Sequence, residues 1–302
     1  MIPELQAVFP EVALRRLGAI LGVSRSGVYA ARHGPGEEAE TVVLRDAIER
    51  IVLEFPGYGY RRVTQVLRRD GWRVNHKRVL RLMREESLLC HLKRRFTVTT
   101  DSRHAFASYP NLLRGSPLQG LNQAWVADIT YIRLPTTFCY LAAILDAWSR
   151  RCVGWELSLW IDTDLTLAAL ERAIAGRDPA PGLIHHSDHG VQYASTRYVD
   201  RLEAIGAQIS MAAMGNVYEN ALAESFFATL KREEVYLREY RTVAEAEANL
   251  EHFIDDVYNH KRLHSSLGYR SPSEFETCFD QERDDERFLE GTETRTLALV
   301  HS

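Results

Sequence analysis

The stretch WVADITYIR (residues 125–133) and the stretch FCYLAAILD (138–146) that follows it decide the fold of this chain. Polar and apolar residues alternate through the first stretch, as they do in a half-buried strand. The second stretch is almost entirely apolar, which is typical of a central strand. A short turn at Pro135 separates them, and RCVGWEL (151–157) follows as a third strand. The pattern therefore predicts three adjacent antiparallel strands.

Downstream of these strands, helical and extended patterns alternate. We predict helices over 164–175 and 195–205, short strands over 183–187 and 207–212, and long helices over 219–238 and 242–259. Three antiparallel strands followed by alternating helices and strands indicate an α/β layer domain, with a mixed five-stranded sheet and flanking helices. We assign this domain to residues 125–275.

Upstream of the sheet, the chain is predicted to be all-helical. VALRRLGAILGVSRSGVYAAR (12–32) has the spacing of a helix-turn-helix. Two more helices are expected at 60–71 and 74–88, where Gly71 ends the first and Asn75 caps the second. Residues 1–56 are predicted to hold a helix-turn-helix and a linker helix (41–54), and residues 57–104 a basic helix-turn-helix. A linker follows in 105–124. After the sheet domain, residues 276–302 are predicted to form a flexible acidic tail.

Charge is distributed unevenly along the 302 residues. The net charge is −4, yet residues 57–104 hold 13 Lys and Arg against 4 Asp and Glu. Such a one-sided segment favours contact with DNA phosphates over an ordinary solvated helical hairpin. The candidate DNA-binding residues in this segment are Arg61, Arg62, Arg68, Lys77, Arg78 and Arg81. Arg262, in a basic stretch after the last long helix, is a further candidate, although a plain surface position is equally consistent there.

Several classes of protein are excluded by composition. The chain has 45% hydrophobic and 26% charged residues, the balance of a globular protein. The longest apolar run, 138–145, falls far short of the ~20 residues of a membrane helix. The N-terminus lacks the features of a secretory signal, and the four cysteines form no C-x-x-C pair. We therefore expect a protein of a reducing cytoplasm that is not associated with a membrane.

Three acidic residues occupy positions where acids are unusual. Asp128 lies in the middle of a strand, Asp188 follows a short buried strand in HSDHGVQY, and Glu224 lies on a helix with many buried apolar residues. If the short strand pairs in parallel beside the first, Asp128 and Asp188 meet at one edge of the sheet. Three carboxylates suit Mg²⁺ or Mn²⁺, and two such ions support phosphoryl transfer. The alternative is three unrelated structural acids.

The motifs WVADITYI, HSDHGVQYAS, GNVYENALAESFFATLKRE and YNHKRLHSSLGY together resemble the transposases of the insertion sequence three family. Thirty-five residues separate Asp188 from Glu224, as is typical of this family, and Lys231 follows Glu224 by seven residues at the position of the family's basic partner. Glu219, where the family usually has Asp, is a small departure. The resemblance spans residues 12–275 and implies a ribonuclease-H-like, integrase-type catalytic core.

The resemblance also implies a mechanism and partners. Asp128 would bridge two Mg²⁺ (or Mn²⁺) ions, Asp188 and Glu224 would each hold one, and Lys231 would reach a phosphate. The enzyme would cut double-stranded DNA at the terminal inverted repeats of an insertion sequence and join the 3′-hydroxyl to target DNA. It would act as a dimer on paired ends, or with the product of an upstream reading frame. A structure-specific nuclease and a DNA-binding regulator without activity remain the alternatives.

Two further groups of residues are candidates for a role near these three acids. Asp146 is expected on the strand beside that of Asp128, on the same face, either near the metal ions or in a structural role. His185, His186 and His189 surround Asp188, but without a cysteine or an H-E-x-x-H helix they do not favour a zinc site.

Overall fold

The computed structural model describes residues 35–90, 109–114, 117–212 and 220–283, together with the isolated positions 12, 16, 20 and 22. The predicted helix-turn-helix at 12–32 and Glu219 therefore lie outside the described residues, apart from those isolated positions. The chain divides into two compact units, Met1–Cys90 and His91–Ser302. In the described part of the chain, no helix combines the length and the apolar character needed to cross a membrane.

The first unit is a bundle of three helices. They are α1 (Pro35–Glu54), α2 (Tyr60–Arg69) and α3 (His76–Glu85). The first begins earlier than predicted, because Pro is well accommodated in a first helical turn, where its missing N–H needs no partner. The predicted ends of the other two are confirmed: Gly71 adopts a left-handed φ of 89°, and the Asn75 side chain accepts a hydrogen bond of 2.8 Å from the backbone N–H of Lys77.

The buried residues of this bundle lie on one side of each helix. Val63 and Leu67 of α2 and Val79, Leu82 and Met83 of α3 are all buried. Thr64 of α2 is buried as well. Its hydroxyl donates a hydrogen bond of 2.6 Å to the carbonyl of Tyr60, which satisfies the polar group inside the helix pair.

The second unit is built on one sheet of five strands. The strands are β1 (Ala124–Arg133), β2 (Phe138–Asp146), β3 (Cys152–Ser158), β4 (Ile184–Ser187) and β5 (Gln208–Met211). Their order is β3-β2-β1-β4-β5, with the first three antiparallel and with β4 parallel to both β1 and β5. The predicted mixed five-stranded sheet is confirmed.

Helices cover both faces of the sheet. The flanking helices are α4 (Thr163–Arg177), α5 (Thr196–Ala204), α6 (Ala221–Glu233), α7 (Val243–Glu251) and α8 (272–283). One core packs Trp125 and Ala127 of β1 against α4 and α5. The other packs Val126 and Ile132 against α6 and α7. Because side chains alternate along a strand, Asp128 belongs to the face of β1 that α6 covers.

The pairing of β4 with β1 brings the two predicted aspartates together. Val126 pairs with His186 in a parallel register, so two more residues along each strand bring Asp128 and Asp188 to the same level. Asp146 does not share that position. It pairs with Trp125, on the opposite face from Asp128, and the expected shared face is wrong. Its buried carboxylate instead accepts hydrogen bonds from the backbone N–H groups of Asn122, Trp148 and Ser149.

The C-terminal helices differ from the prediction. The helix expected at 219–238 ends at Glu233, and the helix expected at 242–259 continues beyond α7 as a π-helix over His252–Lys261. The acidic tail predicted from residue 276 is helical in its first part, since α8 extends to residue 283. Glu276 in α8 is buried and accepts hydrogen bonds from Arg151, Arg177 and Ser149.

Candidate active site

Asp128 is the centre of the candidate site. Its carboxylate is half-buried and accepts a hydrogen bond of 2.8 Å from the backbone N–H of Ile129. Burial, together with the negative charges of Asp188 and Glu224, raises the pKa of Asp128 from 3.8 to about 8, and the charge of Lys231 opposes this only in part. Asp188, Glu224 and Lys231 therefore all lie within electrostatic reach of Asp128.

Asp188 is held by the turn that follows β4. Its side-chain oxygen accepts a hydrogen bond of 2.9 Å from the backbone N–H of Gly190. A Cβ atom at residue 190 would lie 2.9 Å from that oxygen and 3.3 Å from the ring of Tyr193, so any larger residue would push the Asp188 carboxylate out of place. This close packing fixes the carboxylate just after β4, level with Asp128 of β1.

Helix α6 brings Glu224 and Lys231 to the same site. Glu224 lies in the exposed first turn, and the apolar face of the helix packs on the sheet through Phe226, Phe227 and Leu230. Lys231 is half-buried, with its Nζ 4.6 Å from the centre of the Tyr131 ring. Burial lowers the pKa of Lys231, and the charge of Asp128 counteracts this. The ammonium of Lys231, seven residues after Glu224, therefore lies within electrostatic reach of Asp128.

The chemistry of these donors suits a hard divalent cation. All three acids offer oxygen ligands, and their mutual repulsion at a partly buried position leaves negative charge that a cation would neutralise. Among residues 35–90, 109–114, 117–212 and 220–283, no three His, Cys, Asp or Glu side chains already converge in the arrangement of a metal centre.

The histidines beside Asp188 have packing roles. His185 is buried, and burial lowers its pKa from 6.5 to about 3. Its Nε2 lies 3.0 Å from the hydroxyl of Tyr198. His186 is also buried, with its Nδ1 2.8 Å from the hydroxyl of Ser210. These contacts anchor β4 and so hold the strand that carries Asp188.

Sequence reasoning missed one residue of this site. Tyr193, five residues after Asp188, is buried, and the charges of both Asp128 and Asp188 contribute to raising its pKa well above 10, after the larger effect of burial. The signal available in the sequence was its place in HSDHGVQY, at the end of the tight turn. An aromatic residue there is indistinguishable from a core residue until its hydroxyl is located.

The predicted DNA-binding residues differ in solvent exposure and in their contacts within the bundle. Arg61, Arg68, Lys77 and Arg81 are exposed, and Arg81 forms a 3.6 Å ion pair with Glu85. Two others contact their own bundle. The guanidinium of Arg62 lies 5.5 Å from the ring of Tyr58, and Arg78 donates a hydrogen bond of 2.9 Å to Thr41. An open pocket of about 650 Å³ lies at the turn between α2 and α3, lined by Arg68, Gly71, Trp72, Arg73, Val74, Asn75 and His76.

The suggested DNA contact of Arg262 is contradicted by its burial. Its guanidinium donates two hydrogen bonds of 2.8 Å to the carboxylate of Glu233, and each side chain is only 4% exposed. A buried, doubly hydrogen-bonded arginine has no surface left for a phosphate. The residue ties the segment after the π-helix to the end of α6.

Comparison with known families and proteins agrees with this geometry. An HTH-like domain model matches residues 38–96, and integrase core domain models match 119–217 and 205–272. The chain is 38% identical to a transposase for insertion sequence element IS904 of Lactococcus lactis, over 80% of this chain and 96% of that one. It is 32% identical to transposase InsF for insertion sequence IS3A of Escherichia coli, over 88% and 94%.

Among solved structures, similarity is lower. The HTLV-2 integrase catalytic core domain in complex with magnesium matches with 13% identity and a TM-score of 0.40, over 51% of this chain and 96% of that one.

Proposed function

The chain belongs to the insertion sequence three family of transposases, and from that premise we propose that it cleaves and joins DNA at the ends of an insertion sequence. One observation carries the proposal. Two segments of the chain far from Asp128 in sequence, one with Asp188 and one with Glu224 and Lys231, both act electrostatically on Asp128 beside the sheet. An HTH-like domain and an integrase core domain both imply that DNA is the substrate.

Integrase core domains use divalent metal ions, and we assign the ligands by the chemistry of the donors. Asp128, Asp188 and Glu224 would together hold two Mg²⁺ or Mn²⁺ ions. When bound, the ions would polarise the scissile phosphate and stabilise the charge that develops on the attacking and leaving oxygens. Asp128, with its pKa raised to about 8, would lose its proton on joining them.

The reaction would proceed in two phosphoryl transfers. In the first, a water oxygen bonds to the phosphorus at the element end, the P–O3′ bond breaks, and the leaving oxygen takes up a proton as a 3′-hydroxyl. In the second, that hydroxyl loses its proton and bonds to the phosphorus of another phosphodiester, where a second P–O3′ bond breaks and the leaving oxygen takes up a proton. Lys231 would contact a non-bridging phosphate oxygen in both steps, since its ammonium lies beside Asp128.

The basic bundle would supply contacts with the DNA backbone. Arg61, Arg68, Lys77 and Arg81 are exposed on its surface and free of a buried role, and we assign them to phosphates of the terminal inverted repeat. Because an element has two ends, two copies of the chain would act together on paired ends. The upstream reading-frame product is a further candidate partner.

A joining assay tests the proposal. The purified chain would be incubated with a labelled duplex that carries the terminal repeat of its own element, with and without Mg²⁺. We expect metal-dependent nicked and joined products, lost in Asp128→Asn. Asp200→Asn, which changes an exposed acid on α5, serves as the matched control and should retain activity. Nicking without joining would indicate a nuclease, and binding without any metal-dependent chemistry would indicate a regulator.

A further inference from the structure

The hydroxyl of Tyr193 is the unexplained polar group of the candidate site. Tyr193 is only 3% exposed, and within the described part of the chain its buried hydroxyl has no hydrogen-bond partner. A buried hydroxyl without a partner costs free energy, because water has been removed from it and nothing has replaced that water. Such a group in a native protein calls for an explanation.

The Tyr193 ring is held in place by its neighbours. Its backbone N–H donates a hydrogen bond of 3.0 Å to the carbonyl of Gly190, which closes the turn that holds Asp188. The ring centre lies 5.4 Å from that of Tyr198 and 6.4 Å from that of His185, and the ring is part of the core beside α4 and α5. The hydroxyl therefore cannot simply swing into solvent to find a partner.

Its neighbour Tyr198 shows what a structural tyrosine looks like in the same core. Tyr198 is also buried, but its hydroxyl lies 3.0 Å from Nε2 of His185 and is satisfied within the fold. Phenylalanine would pack equally well at residue 193, so packing alone does not explain the Tyr193 hydroxyl. The Tyr193 ring flanks the turn that holds Asp188, since a Cβ atom at residue 190 would lie 3.3 Å from the ring and 2.9 Å from the Asp188 oxygen. The charges of Asp128 and Asp188 also act on the Tyr193 hydroxyl.

We propose that the Tyr193 hydroxyl donates a hydrogen bond to an oxygen atom that enters the carboxylate site with a ligand. This inference rests on the proposed function, which supplies two sources of such an oxygen. One is a non-bridging oxygen of a DNA phosphate, and the other is a water molecule of a hydrated divalent cation. In either case the hydroxyl is unpartnered before the ligand binds and satisfied afterwards.

The test compares Tyr193→Phe with Tyr198→Phe in the full chain. Removing an unpartnered hydroxyl should leave the melting temperature of Tyr193→Phe equal to or above that of the parent. The rate constant of DNA cleavage at saturating DNA should fall at least ~10-fold, which corresponds to the loss of one hydrogen bond in the transition state. Tyr198→Phe should show the reverse: a lower melting temperature, because His185 loses its partner, and a cleavage rate per folded molecule within twofold of the parent.

A titration with Mg²⁺ in the absence of DNA identifies the source of the oxygen. The readout is the rise in melting temperature as Mg²⁺ is added. If Tyr193→Phe needs several times more Mg²⁺ than the parent, the acceptor is a water of the hydrated cation. If the two titrations superimpose and only cleavage at saturating DNA is impaired, the acceptor is a phosphate oxygen.

Two results would overturn the inference. In one, Tyr193→Phe matches the parent in melting temperature, Mg²⁺ titration, DNA affinity and cleavage. In the other, it loses melting temperature as Tyr198→Phe does and keeps the parent's cleavage rate per folded molecule. If the parent itself does not cleave DNA, the proposed function fails separately. The Mg²⁺ titration and the DNA affinity then still decide the role of Tyr193, and no difference in either would count against it.

Discussion

Arg262 and Glu233 form a buried, doubly hydrogen-bonded ion pair, with both contacts at 2.8 Å. Glu233 is the last residue of α6, the helix that presents Glu224 and Lys231 to the candidate site. Arg262 immediately follows the π-helix His252–Lys261. The pair therefore fixes the end of the site's helix to the C-terminal part of the domain.

Breaking this pair should be strongly destabilising. We expect Arg262→Ala to lower the free energy of unfolding by ~3–5 kcal/mol, because it leaves the Glu233 carboxylate buried without its partner. Denaturant unfolding measures this. Arg238→Ala is the matched control, since Arg238 is half exposed and pairs with Glu234, which keeps a 3.0 Å hydrogen bond from Tyr240. It should cost at most ~1 kcal/mol. A DNA-binding defect in well-folded Arg262→Ala would restore the surface role that burial contradicts.

The raised pKa of Asp128 predicts that Mg²⁺ binding releases a proton. Asp128 is mostly protonated at pH 7, because its pKa is raised to about 8, and a carboxylate must be ionised to bind the cation. Mg²⁺ affinity should therefore rise with pH up to about 8 and level off above it, by at most ~10-fold per pH unit. Titration calorimetry in two buffers with different ionisation enthalpies measures the protons released. Near-zero release at pH 7, equal to that of Asp128→Asn, would show that Asp128 is not a ligand.

Gly190 should be essential to the chemistry but not to the fold. A Cβ at this position would press on the Asp188 oxygen at 2.9 Å and on the Tyr193 ring at 3.3 Å. We expect Gly190→Ala to lower the cleavage rate by ~10–100-fold, since small displacements of reacting groups are costly. Gly176→Ala is the control, because nothing lies within 4 Å of its added Cβ and Ala favours the helix. Equal cleavage rates in the two variants would show that Asp188 does not need this turn.

Lys77 and Arg78 are neighbours in α3 with different expected roles. Lys77→Ala removes an exposed cation, so DNA affinity should fall, and the slope of log affinity against log salt should drop by ~0.9. Arg78→Ala removes a 2.9 Å hydrogen bond to Thr41 and a 3.5 Å ion pair with Glu40, so its effect should be a loss of ~0.5–1.5 kcal/mol in stability. Binding isotherms at several salt concentrations, with thermal unfolding, separate them. The assignment fails if Arg78→Ala changes the salt slope while Lys77→Ala does not.

Much of this architecture could be predicted because the deciding signals are local. The alternation in 125–133 and the apolar run in 138–146 predicted two strands, and the left-handed Gly71 and the capping Asn75 mark helix ends as expected. The meeting of Asp128 and Asp188 required only one further assumption, the parallel pairing of β4 with β1.

The features that escaped prediction depend on contacts between residues far apart in sequence. No feature of the sequence near Arg262 indicates that its partner is Glu233, 29 residues earlier. The basic stretch was therefore interpreted as exposed. The register that moves Asp146 to the opposite face depends on the exact pairing of β1 with β2. Likewise, the role of Tyr193 depends on a hydroxyl without a partner, which no sequence pattern reveals.

Glu276 shows the same dependence and leads to a last prediction, in a region where an acidic tail was expected. Burial alone would raise its pKa, but hydrogen bonds from Arg177 and Ser149 and the charge of Arg151 hold the net pKa below 4.5. Because the folded pKa is the lower one, this stabilisation is present above about pH 4.5 and is lost as the pH falls through the folded pKa.

Glu276→Gln should therefore lower stability at neutral pH by ~2–4 kcal/mol, since it leaves the half-buried Arg177 with a weaker partner. The difference from the parent should shrink as the pH is lowered below about 4.5, where the parent loses the same charge. Thermal unfolding from pH 3 to 7 checks both points, with the exposed Glu282→Gln as the control. A parent and a Glu276→Gln variant that melt together at pH 7 would mean that α8 is held by its apolar contacts, such as Trp148 with Phe275 and Phe279, rather than by this carboxylate.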